Sequence, residues 1–155
     1  MKKTLLLLTL SSMRLLMVCQ PTELPISNRF ENYEGINISS SYPGWAEGNG
    51  EGTPAIGESA WFLSNILYSK AACVQIAETD KRAWLLTPFF MATAETQLSF
   101  NAAMTIFYND PEPAIMGPTD FFKVMVQVGN SNFTELMVFD KDHVLPVEMQ
   151  SFTLS

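Results

Sequence analysis

The chain has 155 residues, of which 47% are hydrophobic and 16% charged, and its formal net charge is −7. This length suffices for one domain and is too short for two ordinary ones, and the apolar content argues against a disordered chain. The acidic balance makes nucleic acid a poor partner. One His and two Cys leave little for a zinc site, a disulfide framework or a Cys/His catalytic pair.

The N-terminal residues 1–19 are typical of a secretory signal peptide. Lys2 and Lys3 precede an apolar stretch from Thr4 to Val18, which is the order that export signals require. The stretch is too short for a membrane-spanning helix, which needs about 20 apolar residues, and Arg14 interrupts it. We therefore predict that residues 1–19 are a signal peptide and that the protein is exported.

Cys19 stands in a context that resembles the processing site of bacterial lipoproteins, where the Cys becomes the acylated first residue. Val18 departs from that pattern, which has Gly, Ala or Ser before the Cys, so the alternative is ordinary cleavage between Ser11 and Gln20. Acylation would make the protein an outer-membrane lipoprotein at the cell surface, whereas ordinary cleavage would make it secreted. Cys73 is expected to be a small buried hydrophobe, with a Cys19–Cys73 disulfide as the alternative.

Removal of the signal peptide makes the chain more acidic. Lys2, Lys3 and Arg14 are lost, so six basic residues remain against all sixteen acidic ones and the net charge becomes −10. Such a surface repels polyanions and anionic lipid headgroups. We therefore expect membrane contact only through a lipid anchor at Cys19.

The segments after the signal peptide are short and interrupted by turn residues. Residues 20–29 are predicted to be a tether, because Pro21 and Pro25 oppose helix, and 35–58 is a loop-rich stretch with brief extended pieces. Apolar and polar residues then alternate with period two, which is typical of half-buried strands. The alternating segments are Ala72–Ile76, Trp84–Thr87, Leu98–Met104 and Phe122–Val128.

The predicted fold class follows from the turn residues and from the absence of a 3.6-residue apolar period. Gly129–Asn132 separates the strand of 121–128 from Phe133–Phe139, which favours a hairpin, and three prolines make 109–119 a long loop. No segment of the mature chain keeps a 3.6-residue period over three turns. Short antiparallel strands at this spacing predict an all-β, antiparallel two-sheet β-sandwich over 30–155.

A series of short motifs between residues 30 and 139 resembles a known group of domains. In chain order the motifs are Phe30-Glu31, Tyr42-Pro43-Gly44-Trp45, Trp61, Ala71-Ala72, Arg82–Pro88, Leu98–Ala102, Phe122–Val126 and Phe133–Leu136. Their order resembles the choice-of-anchor J and cleaved-adhesin domains, which are MAM-like jelly rolls of secreted Bacteroidetes proteins. The resemblance implies a jelly-roll sandwich that serves adhesion, glycan contact or architecture outside the cell.

The resemblance also implies a structural calcium ion. Glu31, in the matching Phe-Glu motif, is the first ligand it suggests, and Asp120, just before a matching strand, is the second. Family members continue after a segment like Phe152–Ser155 with further strands and a late acidic motif, which this chain lacks. Either the chain is truncated and lacks the closing C-terminal strands, or a shorter sandwich closes differently.

Aromatic side chains are the candidates for ligand contact. Jelly rolls bind sugars by stacking aromatic faces on pyranose rings, and Tyr42, Trp45 and Tyr108 are the residues we predict in this role. Core packing is the alternative for Trp45 and Trp61. Trp84, inside an apolar strand, is assigned to the core.

Catalytic chemistry has little support in the sequence. His143 is the only imidazole and follows Asp140 and Asp142, but no Gly-x-Ser-x-Gly elbow accompanies it. We predict no catalytic residue and a non-catalytic binding or adhesion module whose partner is an extracellular glycan or a surface protein. The alternatives are a purely structural accessory domain of a longer surface protein and a jelly-roll carbohydrate-active enzyme.

Overall fold

The structure, a computed structural model, describes residues 21–34, 37–52, 54–57, 60–66, 69–76, 82–106, 112–146 and 150–154. Within these ranges strands dominate and helix is limited to a single turn, so the predicted all-β class is confirmed. The elements in chain order are α1 (Ile38–Ser41), β1 (Ala46–Asn49), β2 (Ala55–Ile56), β3 (Phe62–Ile66), β4 (Ser69–Cys73), β5 (Ala83–Leu86), β6 (Leu98–Ala102), β7 (Phe122–Val126), β8 (Thr134–Phe139) and β9 (Gln150–Leu154).

The strands pair into small antiparallel sheets. Among the described residues, β1 lies between β2 and β5, and the other strands form the pairs β3–β4, β6–β9 and β7–β8. β9, at the far end of the chain, pairs along all of β6, from Leu154 opposite Leu98 to Gln150 opposite Ala102. The C-terminal segment thus supplies a strand that the alternation pattern did not predict, and the packing of the sheets into two layers stays a prediction.

The hairpin predicted around residues 129–132 is confirmed. β7 and β8 pair with Phe122 opposite Phe139, and the two rings stack with centroids 5.8 Å apart. Gly129 adopts a positive φ of 56° in the connection, a conformation that glycine reaches without steric cost. The N–H of Ser131 donates to the carbonyl oxygen of Val128 at 3.1 Å and closes the turn.

β4 is shorter than the alternation of Ala72, Val74 and Ile76 predicts. Its partner β3 begins at Phe62, which lies opposite Cys73, so among the described residues the ladder ends before Val74. Ile76 keeps its apolar role because it packs against the buried cluster of the C-terminal half. The hydrophobic pattern therefore continues beyond the hydrogen-bonded ladder.

One helical turn, α1, interrupts the predicted loop of 35–58. The Asn37 side-chain oxygen accepts the N–H of Ser39 at 3.1 Å, and the N–H of Tyr42 donates to the carbonyl oxygen of Ile38 at 2.8 Å. Asn is a favoured N-cap residue. A single turn is too short for a 3.6-residue period to appear in the sequence, which is why the pattern missed this element.

In the part of the chain that the structure describes, most buried side chains lie in two groups, a larger hydrophobic cluster and a smaller one hydrogen-bonded around Glu47. The larger cluster has partly buried neighbours in β6, β7 and β8. Its buried members are Met104, Met116, Phe139 and Leu145. Tyr33 and Ile38, which are 1% and 0% exposed, form the smaller cluster with the carboxylate of Glu47. A charged residue thus occupies one of the most buried positions of the described chain.

The predicted tether contacts the rest of the chain at Thr22. Its N–H donates to the carbonyl oxygen of Phe89 at 2.7 Å, and Thr22 forms a parallel bridge with Phe90. The start of the predicted tether is therefore attached beside residues 89 and 90.

Candidate functional site

Glu47 is the buried polar centre of the N-terminal half. It lies on β1, opposite Leu85 of β5, and only 3% of it is exposed. Its Oε1 atom accepts the Tyr33 hydroxyl at 2.9 Å and the backbone N–H of Ile38 at 2.6 Å. Burying a carboxylate is costly unless it is hydrogen-bonded. The hydrogen bonds from Tyr33 and Ile38 offset part of that cost.

Tyr33 links this carboxylate to the surface turn of residues 31 and 32. Its hydroxyl also lies 3.3 Å from the carbonyl oxygen of Trp61. Burial, and then the hydrogen bond to Glu47, raise the pKa of Tyr33 far above its ordinary value. The hydroxyl therefore stays protonated at physiological pH and remains the donor to Glu47.

An open groove of about 480 Å³ lies beside Tyr33. We call it the Tyr33 groove; it is lined by Glu31, Asn32, Tyr33, Glu34, Leu63 and Lys70. The lining combines two carboxylates, an amide and an ammonium group with the apolar side chain of Leu63. Such a mixture offers both donors and acceptors to a ligand.

Three elements bring these groups together. Glu31, Asn32 and Glu34 flank Tyr33 in the segment before α1, Leu63 lies on β3, and Lys70 lies on β4. β3 and β4 are paired strands, with Leu63 opposite Ala72. The Lys70 Nζ atom donates to the carbonyl oxygen of Glu31 at 2.9 Å and thereby joins the hairpin to the turn.

An aromatic cluster of Phe30, Tyr42 and Trp45 adjoins the groove. The Phe30 ring meets the Tyr42 and Trp45 rings edge to face, at centroid distances of 6.1 and 5.6 Å, a favourable geometry for aromatic pairs. The hydroxyl of Tyr42 accepts the backbone N–H of Asn32 at 2.9 Å. The cluster and the groove therefore share a direct hydrogen bond.

The backbone at Phe30 turns the chain into the groove. Its φ of 58° is uncommon for a residue other than glycine and costs about 1–2 kcal/mol. Two hydrogen bonds hold it there: its N–H donates to the Asn28 side chain at 2.7 Å, and its carbonyl accepts the N–H of Tyr33 at 3.1 Å. The strain is thus maintained by the contacts that shape the groove.

Three of the predicted site residues, Glu31, Tyr42 and Trp45, come together here. Tyr42 and Trp45 are half-buried. Each ring packs against Phe30 and also keeps an exposed part, so each can contribute to packing and remain accessible to a ligand. Tyr108 and Cys19 lie outside the described residues. Whether any of these residues contacts a ligand stays a prediction.

The two predicted calcium ligands have separate surroundings. The Oδ2 atom of Asp120 accepts the N–H of Gly117 at 2.8 Å within a turn, whereas the exposed Glu31 lines the Tyr33 groove. Among the described residues, no group of three acidic, His or Cys side chains is placed to hold an ion. The geometry of these residues does not fit a calcium site, and the ion stays a prediction of the resemblance alone.

Asp140 and His143 form the contact that hydrolytic chemistry would require. The His143 Nδ1 atom lies 3.3 Å from Asp140 Oδ1, but the same oxygen accepts the backbone N–H groups of Asp142 and His143, each at 2.9 Å. These backbone hydrogen bonds lower the pKa of Asp140. The His143 side chain is 77% exposed, so the arrangement is accounted for as a turn closed by an aspartate.

The remaining predicted core residues are half-buried. Trp84 donates its ring N–H to the carbonyl oxygen of Gly50 at 2.8 Å and packs on Phe133, with ring centroids 5.0 Å apart. Cys73 is a free thiol, and burial raises its pKa to about 11. It is therefore protonated at neutral pH and behaves as the small hydrophobe that we predicted.

Comparisons with known proteins assign no family to this chain. It matches no protein-family model, no curated protein and no solved structure. Among the described residues, no helix is long and apolar enough to cross a bilayer. The resemblance to the choice-of-anchor J and cleaved-adhesin domains stays a prediction, and the Tyr33 groove is the site on which a functional proposal can rest.

Proposed function

We propose that this chain is an exported, non-catalytic module that binds an extracellular glycan in the Tyr33 groove. The observation that carries the proposal is the convergence of Glu31, Asn32, Glu34 and Lys70 in one open groove beside an aromatic cluster. Sugar sites combine a few placed polar groups with apolar and aromatic surface. The action is non-covalent recognition.

The polar groups of the groove complement sugar hydroxyls, which both donate and accept hydrogen bonds. The carboxylates of Glu31 and Glu34 accept, the Lys70 ammonium donates, and the Asn32 amide does both. A neutral glycan is favoured over a polyanion, because the chain as a whole is strongly acidic and repels negative charge.

The aromatic cluster adjoins the groove without lining it and would supply a neighbouring apolar surface. The Tyr42 hydroxyl is bonded to the backbone of the groove residue Asn32, so the exposed part of the Tyr42 ring lies next to the polar groups. The C–H face of a pyranose ring packs on such a surface. Phe30 packs edge to face on Tyr42 and Trp45. Because these rings are already held in place, ligand binding costs less side-chain conformational entropy.

Export and surface attachment belong to the same proposal. The order of lysines and apolar residues in 1–19 supports export, and the context of Cys19 supports acylation. The all-β composition and the antiparallel pairing support a two-layer sandwich as the scaffold.

Affinity electrophoresis of the mature chain through gels that contain host or plant polysaccharides tests the proposal. We expect one class of polysaccharide to retard the protein, because a groove of this composition selects among sugars by its hydrogen bonds. Circular dichroism establishes beforehand that the sample is folded. Unchanged mobility in every gel would contradict glycan binding, and shortened polysaccharide after incubation would contradict a non-catalytic role.

A further inference from the structure

Three consecutive apolar side chains project from the segment after β5. Phe89, Phe90 and Met91 are 62%, 37% and 70% exposed, and we call them the Phe89 patch. Leu24, two residues beyond the Thr22 contact, is 43% exposed. Scattered exposed apolar residues are ordinary, but large exposed apolar patches mark interaction surfaces, and three exposed apolar residues in succession make this segment a candidate for one.

The base of the Phe89 patch is held firmly. Pro88 is buried and lies against Gly44, whose φ is +87° and where a Cβ atom would approach the proline ring to 3.2 Å. On the other side, Thr22 donates its N–H to the carbonyl oxygen of Phe89 at 2.7 Å. The three side chains therefore project from a fixed backbone.

The chain segment that carries the patch has no charged residue, and the nearest charge in the bonded segment is Glu23, next to Thr22. No charged residue occurs from Ala83 to Ala94, between Arg82 and Glu95. A surface that meets a protein partner commonly has a polar rim, whereas a surface that enters the headgroup region of a bilayer combines Phe and other apolar residues. The uncharged stretch favours the second kind of partner.

The position of Thr22 relates the patch to the proposed lipid anchor. Cys19 precedes Thr22 by three residues, and three extended residues span at most about 11 Å. An acyl chain on Cys19 would enter the bilayer, so Thr22 would lie within about 11 Å of the acylated residue, and the Phe89 backbone is hydrogen-bonded to Thr22. The headgroup layer of one leaflet is about 5–7.5 Å thick, so a connection of this length keeps the patch close to the lipid surface without fixing its depth.

We propose that the Phe89 patch inserts into the headgroup region of the bilayer beside the lipid on Cys19 and orients the domain on the membrane. This inference adds a second membrane contact to the single lipid anchor expected from the sequence, and it rests on the acylation included in the proposed function. The partner is a bilayer with zwitterionic headgroups, because the mature chain has a net charge of −10 and gains nothing from anionic lipid. The apolar patch is the second attachment that a single lipid anchor needs for a fixed orientation.

Spin labels on the acylated protein test the proposal. The full chain with Cys73→Ala is expressed in a bacterial host that processes lipoproteins and is purified from membranes. It is then reconstituted into phosphatidylcholine vesicles, and mass spectrometry verifies the lipid on Cys19. A nitroxide is attached at Phe89→Cys or Met91→Cys, and at Ile115→Cys as the matched control, because Ile115 is an apolar residue that is 95% exposed.

The accessibility of each label to oxygen and to a water-soluble nickel complex measures its depth. We expect the oxygen-to-nickel ratio at 89 and 91 to rise on reconstitution and the ratio at 115 to keep its aqueous value. Aqueous values at all three positions on an acylated protein would overturn the inference and leave the anchor intact. Labels at 89 and 91 that are shielded from both reagents would show a protein partner instead and would also overturn it.

A purified protein without lipid on Cys19 would overturn this inference together with the proposed anchor. Glycan binding by the Tyr33 groove is measured on the mature chain without vesicles, so it would be unaffected by that outcome. The experiments therefore distinguish a failure of patch insertion from a failure of acylation at Cys19 and from a failure of glycan binding.

Discussion

Replacing Glu47 with alanine is expected to lower the free energy of unfolding by about 2–4 kcal/mol. The substitution removes the acceptor of the Tyr33 hydroxyl and of the Ile38 N–H, and each buried donor left without a partner costs about 1–3 kcal/mol. Relief of the buried charge offsets part of that loss. Urea unfolding of residues 20–155 at pH 7, followed by circular dichroism, measures the change.

Glu47→Gln is the matched control for this result. The amide oxygen can still accept one or both hydrogen bonds, and the buried charge is gone, so we expect a loss of less than about 1.5 kcal/mol. Equal losses for alanine and glutamine would show that the charge matters and the acceptor does not. A Glu47→Ala protein as stable as the parent would contradict the role of Glu47 in holding Tyr33 and α1.

Replacing Phe139 with alanine is expected to cost about 3–5 kcal/mol, because it removes the largest buried side chain of the C-terminal cluster and leaves a cavity. Phe139 is 7% exposed, stacks on Phe122 and belongs to a cluster with Met104, Met116 and Leu145. The midpoint of urea unfolding reports the loss, and the slope of the transition shows whether the native state has expanded.

Leu136→Ala in the same strand is the control. Leu136 is 48% exposed, so truncation removes little buried area and we expect a change of less than about 1 kcal/mol. If Phe139→Ala were no more destabilising than Leu136→Ala, the cluster around Phe139 would not be the core of this half of the chain.

The strand content of this protein could be predicted because alternation is local. In β7 the residues from Phe122 to Val126 alternate, and Gly129 with Asn130 marks the turn after it. Each of these signals depends on a few neighbouring residues. The extent of β4 could not be predicted in this way, because it depends on where β3 begins.

The candidate site was only partly visible in the sequence. Glu31 was proposed because the resemblance implies a calcium ligand there, and Tyr42 and Trp45 because jelly rolls stack aromatic rings on sugars. Glu47 was missed, since a glutamate between Ala46 and Gly48 looks like exposed surface and charged residues are rarely buried. Its burial depends on donors from Tyr33 and α1, which lie 14 and 9 residues earlier.

Leu63 and Lys70 were missed for a different reason. Both lie more than 25 residues after the turn of 31–34 in the sequence, and the pairing of β3 with β4 brings them to it. No periodicity reports such a contact between distant segments. The hydrogen bond from Lys70 to the carbonyl of Glu31 is a property of the folded chain alone.

Glycan binding in the Tyr33 groove is tested most directly by a comparison of two double variants. Asn32→Ala/Glu34→Ala removes two polar groups that line the groove, and Asn130→Ala/Glu95→Ala removes the same groups from exposed turns elsewhere. The dissociation constant of the retarding polysaccharide is measured for both, after equal melting temperatures are verified. We expect binding at least about tenfold weaker for the groove variant, since two lost hydrogen bonds exceed about 1.4 kcal/mol, and unchanged for the control. Equal affinities in the two variants would contradict the assignment of the site to this groove.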